Sequence, residues 1–226
     1  MISELELAPF LVSLKLAAIT TAILLAAGIP AALALVYTKF PGKIAAEILI
    51  TLPMVLPPTV LGFYLLLMFS PRYGIGRALN ELTGIELLFS FPGLVVASCI
   101  HSLPYMIQPL KDGLMSLDTS LIEASYTLGK SRLATLRHVI IPNIKTSVYT
   151  GILMTFVHVT GEFGVVLMIG GSIPGRTRVA SIALYEKVET MNYDEANMYA
   201  LVLIVISVAM VAFLQILRNK SKAVRG

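Results

Sequence analysis

Three residues of this 226-residue chain, His101, His158 and Glu162, place an ionisable side chain in an otherwise apolar neighbourhood. Imidazole and carboxylate groups perform general acid–base work and ligate metals. His158 and Glu162 stand four positions apart, so on one helix they share a face. That spacing suits a functional pair, and a salt bridge equally. A carboxylate between Gly161 and Gly164 is costly in an apolar run unless it is paired, hydrated or protonated. Glu162 therefore reads either as part of a hinge or hydrated lining near an outer mouth, or as a buried structural hydrogen bond. His101 reads as a hydrogen-bonded interior residue, with a ligand or gate role as the alternative. No second histidine or carboxylate follows His101 at metal-ligand spacing, so no metal site is expected. A Gly-rich phosphate loop, a Ser/His/Asp arrangement and a clustered carboxylate pair are also missing from the sequence, so no catalytic site is expected in this chain.

The longest polar stretch runs from Ser120 to Pro142. Thr119 to Leu128 has good helix formers, with Asp118 or Thr119 as N-cap. Gly129 ends or sharply bends that helix. Lys130 to His138 reads as a second short helix carrying Arg132, Arg137 and His138, and Pro142 suits the first turn of a longer helix. Two short basic helices at a sharp angle would form a rigid knob for a soluble partner. Glu123 could cap or pair locally with Lys130 or Arg132.

The elements that hold this knob are apolar. Mean hydropathy is +0.85, 57% of residues are hydrophobic and 13% are charged, against about 25% charged in soluble domains. Continuous apolar runs near 20 residues point to an all-α polytopic membrane protein and exclude a barrel. A net charge of +4 does not point to nucleic acid. Cys99 has no second cysteine to pair with and reads as a small packed residue. Glu4 and Glu6, with no basic residue ahead of them, do not resemble a signal peptide.

Five spans are expected, at about 9–37, 44–69, 91–110, 144–169 and 199–217. Lys15 can snorkel to the headgroups. Gly28 and Pro30 mark a kink or a close helix approach. Pro53, Pro57 and Pro58 each remove a backbone donor, so the second span should be broken and buried against protein or a cavity. Residues 70–90 read as a loop with one short surface helix. Residues 179–188 read as a helix too short to cross. Lys and Arg number 11 on one side of these spans and 5 on the other. The positive-inside rule then places the N-terminus outside, and the polar hairpin and C-terminus inside. With no visible internal repeat and no energy source of its own, the chain reads as a subunit of a larger assembly.

Glu123-Ala124-Ser125, Gly129 four positions on, and Val139-Ile140-Ile141-Pro142 resemble the EAA motif of ABC importer membrane subunits. Ser125 replaces the motif's second alanine, and Val139 and Ile141 replace its usual apolar pair. Further stretches resemble the permease subunits of molybdate importers within that family. These are Leu52 to Phe63, Leu103 to Leu110, Gly161 to Gly171, Ile173 to Arg178 and Ser181 to Tyr185. Sulfate permeases are close relatives.

The resemblance implies a type I ABC importer permease, a single transmembrane domain over 1–226 with its coupling hairpin at about 118–141. It implies a homodimer with the pathway between subunits, and two copies of a cytoplasmic ATPase that use ATP and Mg2+. It also implies an extracytoplasmic molybdate-binding protein, no cofactor bound by this chain, and a multi-pass location in the lipid of the cytoplasmic (inner) membrane. Glu123, Ala124, Ser125, Gly129 and Arg132 then belong to coupling. Pro57, Pro58, Thr59 and Glu162 are the pathway candidates. Arg72, Arg77, Arg176 and Arg178 are candidates for docking the binding protein, on a platform with Glu81, Glu186 and Glu189. The expected activity is import of molybdate, and often tungstate, by alternating access. Import of sulfate or a broader set of oxyanions, an intramembrane enzyme, and an assembly or sensor subunit are the other readings.

Overall fold

A computed structural model describes residues 6–72 and 74–223. Of the sequence expectations, Glu4 and Arg225 lie outside the described residues, as do the side chains of Arg218, Lys220 and Lys222. The regular elements among the described residues are all helices, without strands. Helix α1 spans Ala8–Tyr37, α2 Lys43–Val55, α3 Pro58–Phe69, α4 Gly74–Thr83 and α5 Phe91–Met115. Two short helices follow, α6 (Thr119–Thr127) and α7 (Arg132–Thr135), then a π-helical turn at Leu136–Ile140 and α8 (Ile141–Asn143). The chain continues through α9 (Lys145–Gly161), α10 (Gly164–Gly170), α11 (Ala180–Glu189) and α12 (Tyr193–Ala223).

Among the described residues, α1, α5 and α12 are each long and apolar enough to cross a membrane alone. Two bent pairs, α2 with α3 at 115° and α9 with α10 at 61°, are each long and apolar enough when taken together, as a broken span or a re-entrant loop. The first bend falls where three prolines called for it. The second corrects the expectation of one continuous span over 144–169. Helix α9 stops at Gly161, Glu162 takes an extended conformation (ψ 137°), and α10 restarts at Gly164. The hydrogen-bond partner of the Glu162 carboxylate lies on α5 rather than α9.

Smaller departures have local causes. Helix α5 continues five residues past Leu110, through Pro104 and Pro109, because its bonds resume beyond each proline and Leu110 and Leu114 are buried. Helix α12 begins at Tyr193, six residues ahead of the expected span. Asp194 and Glu195 favour its positive N-terminal end. Asn192 caps that end by accepting from the Glu195 amide at 3.4 Å and donating to its carboxylate at 2.7 Å. The expected surface helix is α4, and the short helix expected at 179–188 is α11, Ala180–Glu189.

The core is built by α1, α5 and α9 around Met106, which is fully buried. In lipid, helix association depends on close packing rather than on water exclusion, so small residues sit at contacts. Gly28 of α1 and Gly151 of α9 close on Met106 from two sides. A Cβ at either glycine would meet its side chain at 3.0 Å. A second cluster, including Leu16, Leu94, Val165 and Ile169, joins α1, α3, α5 and α10. Lys15 lies 4.8 Å from the centre of the Phe91 ring.

Candidate functional site

Helix α5 carries Ser98, His101, Ser102 and Tyr105 at positions i, i+3, i+4 and i+7, one polar stripe on an apolar helix. Opposite it are His158 on α9 and Glu162 in the break. His101 Nδ1 and Glu162 Oε1 share a hydrogen bond at 2.7 Å, and Ser98 Oγ donates to Glu162 Oε2 at 3.4 Å. Both His101 and Glu162 are buried, 5% and 6% exposed. Ser102 Oγ lies 3.0 Å from His158 Nδ1, and Tyr105 stacks on the His158 ring with centroids 4.0 Å apart. Ser181 of α11 donates to the Glu162 carbonyl. Thus Glu162 pairs with His101, 61 positions away, and not with its i,i−4 neighbour His158.

One ligand atom from each of His101, His158 and Glu162 lies within 4.8 Å of the others. Local sequence spacing concealed this group, because its members come from α5, α9 and the break. The polar stripe on α5 was the available signal.

The two breaks touch. A Cβ on Gly164 would sit 2.9 Å from Pro58 Cβ and 3.6 Å from the Thr59 nitrogen. The fold therefore brings Pro58 and Thr59 against the residue two past Glu162. Pro57, Pro58 and Thr59 are exposed in the single chain.

At the far end of α5, the hairpin is held by its own side chains. Asp118 caps α6 by accepting from the Ser120 amide at 2.9 Å, and this bond holds its carboxyl below the usual range. Gly129 turns the chain at φ 75°, a left-handed conformation suited to glycine. The Gly129 and Lys130 amides donate to the Tyr126 and Ser125 carbonyls, closing α6. Ser131 caps α7 from its side chain. Ser125 and Thr135, both buried, lie 2.9 Å apart Oγ to Oγ1 and tie α6 to α7. The serine that departs from the motif is thus the hairpin's internal fastener.

Ser125→Ala is expected to lower the stability of the hairpin by about 1–2 kcal/mol by leaving Thr135 unpaired. Faster amide exchange in 119–135 than in α5 would register it, and unchanged exchange would refute it.

Glu123, Ala124 and Arg132 are exposed. Among the described residues Glu123 makes no ion pair with Lys130 or Arg132; the expected local pairing does not form. Leu128 and Leu133 flank the turn at 79% and 74% exposure.

Residues 18–222 match the family described as the binding-protein-dependent transport system inner membrane component. The molybdenum transport system permease protein ModB of Azotobacter vinelandii is 41% identical over 200 residues, covering 88% of each chain. The sulfate transport system permease protein CysT of Synechocystis is 31% identical, covering 82% of this chain and 64% of that relative. This chain is an ABC-importer permease of that family. Among solved structures, the ABC transporter for import of the acidic polysaccharide alginate superposes with a TM-score of 0.79 over 96% of this chain and 80% of that one, at 16% identity. The methionine transporter MetNI superposes at 0.67 over 92% of each chain, also at 16% identity. These two likenesses establish the fold. As a member of this family the permease is a polytopic inner-membrane transport component.

The remaining candidate residues of the permease lie at the Ser90 end of α5. Arg178, with 13% of its side chain exposed, donates to Glu6 and sits 3.6 Å from Glu186, too long for a hydrogen bond. Glu186 also accepts from Ser172. Arg77 pairs with Glu81 at 2.7 Å along α4, and Tyr185 donates to Glu189 at 2.8 Å. Arg72 and Arg176 are exposed.

Proposed function

We propose that this permease moves molybdate, and tungstate with it, across the cytoplasmic membrane by alternating access, as one half of a homodimer. The observation that carries the substrate is the 41% identity to a molybdenum transport permease over 88% of both chains. The 29–32% matches to sulfate transport permeases favour import of sulfate or a broader set of oxyanions as the second reading.

In the proposed arrangement the chain forms one transmembrane domain with five crossings, two of them the bent pairs. The N-terminus is outside and the hairpin inside. Two copies of a cytoplasmic ATPase dock on the hairpins through Glu123, Ala124, Gly129 and Arg132, with Ser125 bracing the turn from within. The exposed Leu128 and Leu133 support this placement, since apolar side chains on a polar knob suit a protein partner. An extracytoplasmic binding protein delivers the oxyanion. Arg72 and Arg176 are free to meet it. Arg77 and Arg178 contribute by fixing the surfaces beside them. The touching breaks at Pro57, Pro58, Thr59 and Glu162 supply the irregular backbone expected of a pathway wall.

ATP-driven uptake by vesicles holding the permease, its ATPase and the binding protein tests this. Labelled molybdate should enter only with ATP, and tungstate should compete while sulfate should not. Equal competition by sulfate would move the substrate to the broader oxyanion class. Absence of uptake by an assembled complex would refute the reading.

A further inference from the structure

The transport reading uses the backbone at Glu162 but not the donor set that its carboxylate forms with His101 and His158. We propose that these three residues form a site for one borderline divalent cation of the zinc and cobalt kind, which clamps α5 to the break between α9 and α10. Two imidazoles and one carboxylate form a donor set suited to zinc, with a position left open. A single carboxylate does not suit magnesium or calcium, which require mainly oxygen ligands.

The geometry is near that of a bound site. Metal–ligand bonds of about 2.0–2.2 Å place tetrahedral ligand atoms about 3.3 Å apart. The His101–Glu162 pair, at 2.7 Å, must open slightly, and the widest separation, 4.8 Å, must close by about 1.5 Å. Rotation of the side chains accommodates both. The cation would replace the proton now shared by the pair.

The support around the donors is already built. Ser98 fixes the second Glu162 oxygen, Ser102 fixes the His158 ring through Nδ1, and Tyr105 stacks on that ring. Such outer contacts orient metal ligands. The cluster also borders an apolar cleft. His158 and Tyr105 line a cleft of about 310 Å³ with Met154 and Val157 of α9 and Met210 of α12. A divalent ion there carries one compensating negative charge from Glu162.

The full-length permease, purified in lipid nanodiscs and stripped of metal, should be titrated with Co2+. One Co2+ per chain should bind with visible d–d absorption bands of low coordination number, and Zn2+ should displace it. Zn2+ should also raise the thermal unfolding midpoint of the native permease. H158Q and E162Q should each weaken Co2+ binding by more than about 100-fold, and S102A by about 10-fold, the loss typical of outer contacts. H138Q, on the exposed hairpin, should leave binding unchanged. Absence of the bands from the native permease at millimolar Co2+ would overturn the proposal without recourse to any variant. So would binding that survives H158Q and E162Q, or that disappears in H138Q.

Discussion

Leu133→Asp is expected to cut the affinity of the permease for its ATPase by about 30-fold or more while leaving membrane insertion intact. Leu133 is 74% exposed on α7, across the Gly129 turn from Leu128 at 79%, with Tyr126 at 47% beside them. Large side chains at the centre of an interface each contribute about 2 kcal/mol or more when buried by a partner. A carboxylate in that position would have to be desolvated without a counter-charge. Because Leu133 makes little contact inside the chain, its replacement should not disturb the fold. Gly129→Val should act in the same direction by a different route, since valine strains the left-handed turn that sets the angle of α7. The measurement is co-purification of ATPase with tagged permease. Normal recovery with both variants would remove the hairpin from coupling.

Glu162→Ala is expected to destabilise the permease by about 3 kcal/mol, because it leaves the buried His101 without its acceptor. For a chain of this size that corresponds to a fall of about 6–12 °C in the unfolding midpoint. Glu162→Gln keeps a carbonyl oxygen for the His101 N–H and should cost about 1 kcal/mol. Thermal unfolding of both variants in nanodiscs separates them. Equal midpoints would mean that the His101 contact does not hold the break. Transport by the Glu162→Gln variant reports a different quantity, since activity like that of the native permease would show that charge at this position is irrelevant to the cycle.

The hairpin was legible because its chemistry is local. Asp118 and Gly129 announce a cap and a turn, and the structure uses both; the second helix, expected over Lys130 to His138, instead starts at Arg132 behind a cap at Ser131 and passes into the π-helical turn at Leu136. The proline-rich break was legible for the same reason, since a missing backbone donor is a property of the residue itself. The break at Glu162 was not, because nothing in Gly161-Glu162-Phe163-Gly164 forbids a helix outright. What ends α9 there is a partner on α5, and sequence spacing carries no register between two helices. The polar cluster was hidden in the same way. Its α5 half could be seen in the spacing of Ser98, His101, Ser102 and Tyr105, but the residues that complete it could not. The ion pair of Arg178 with Glu6 links residues 172 positions apart, which explains why a reading of loops that took Arg178 as a docking candidate could not see this partner.

The separation between His101 and Glu162 also bears on how the chain is made. Synthesis delivers α5 to the bilayer 61 residues before Glu162 exists to meet it. Until then the His101 imidazole on α5 lacks the carboxylate it meets in the finished fold, and the mean hydropathy of α5, 1.2, is the lowest of the three single spans. Helix α1, already inserted, offers it a packing partner but not an acceptor for His101. The nascent permease is least secure during that interval. Arrival of the α9–α10 pair closes it, and slow insertion at α5 would leave a half-made chain open to membrane proteases.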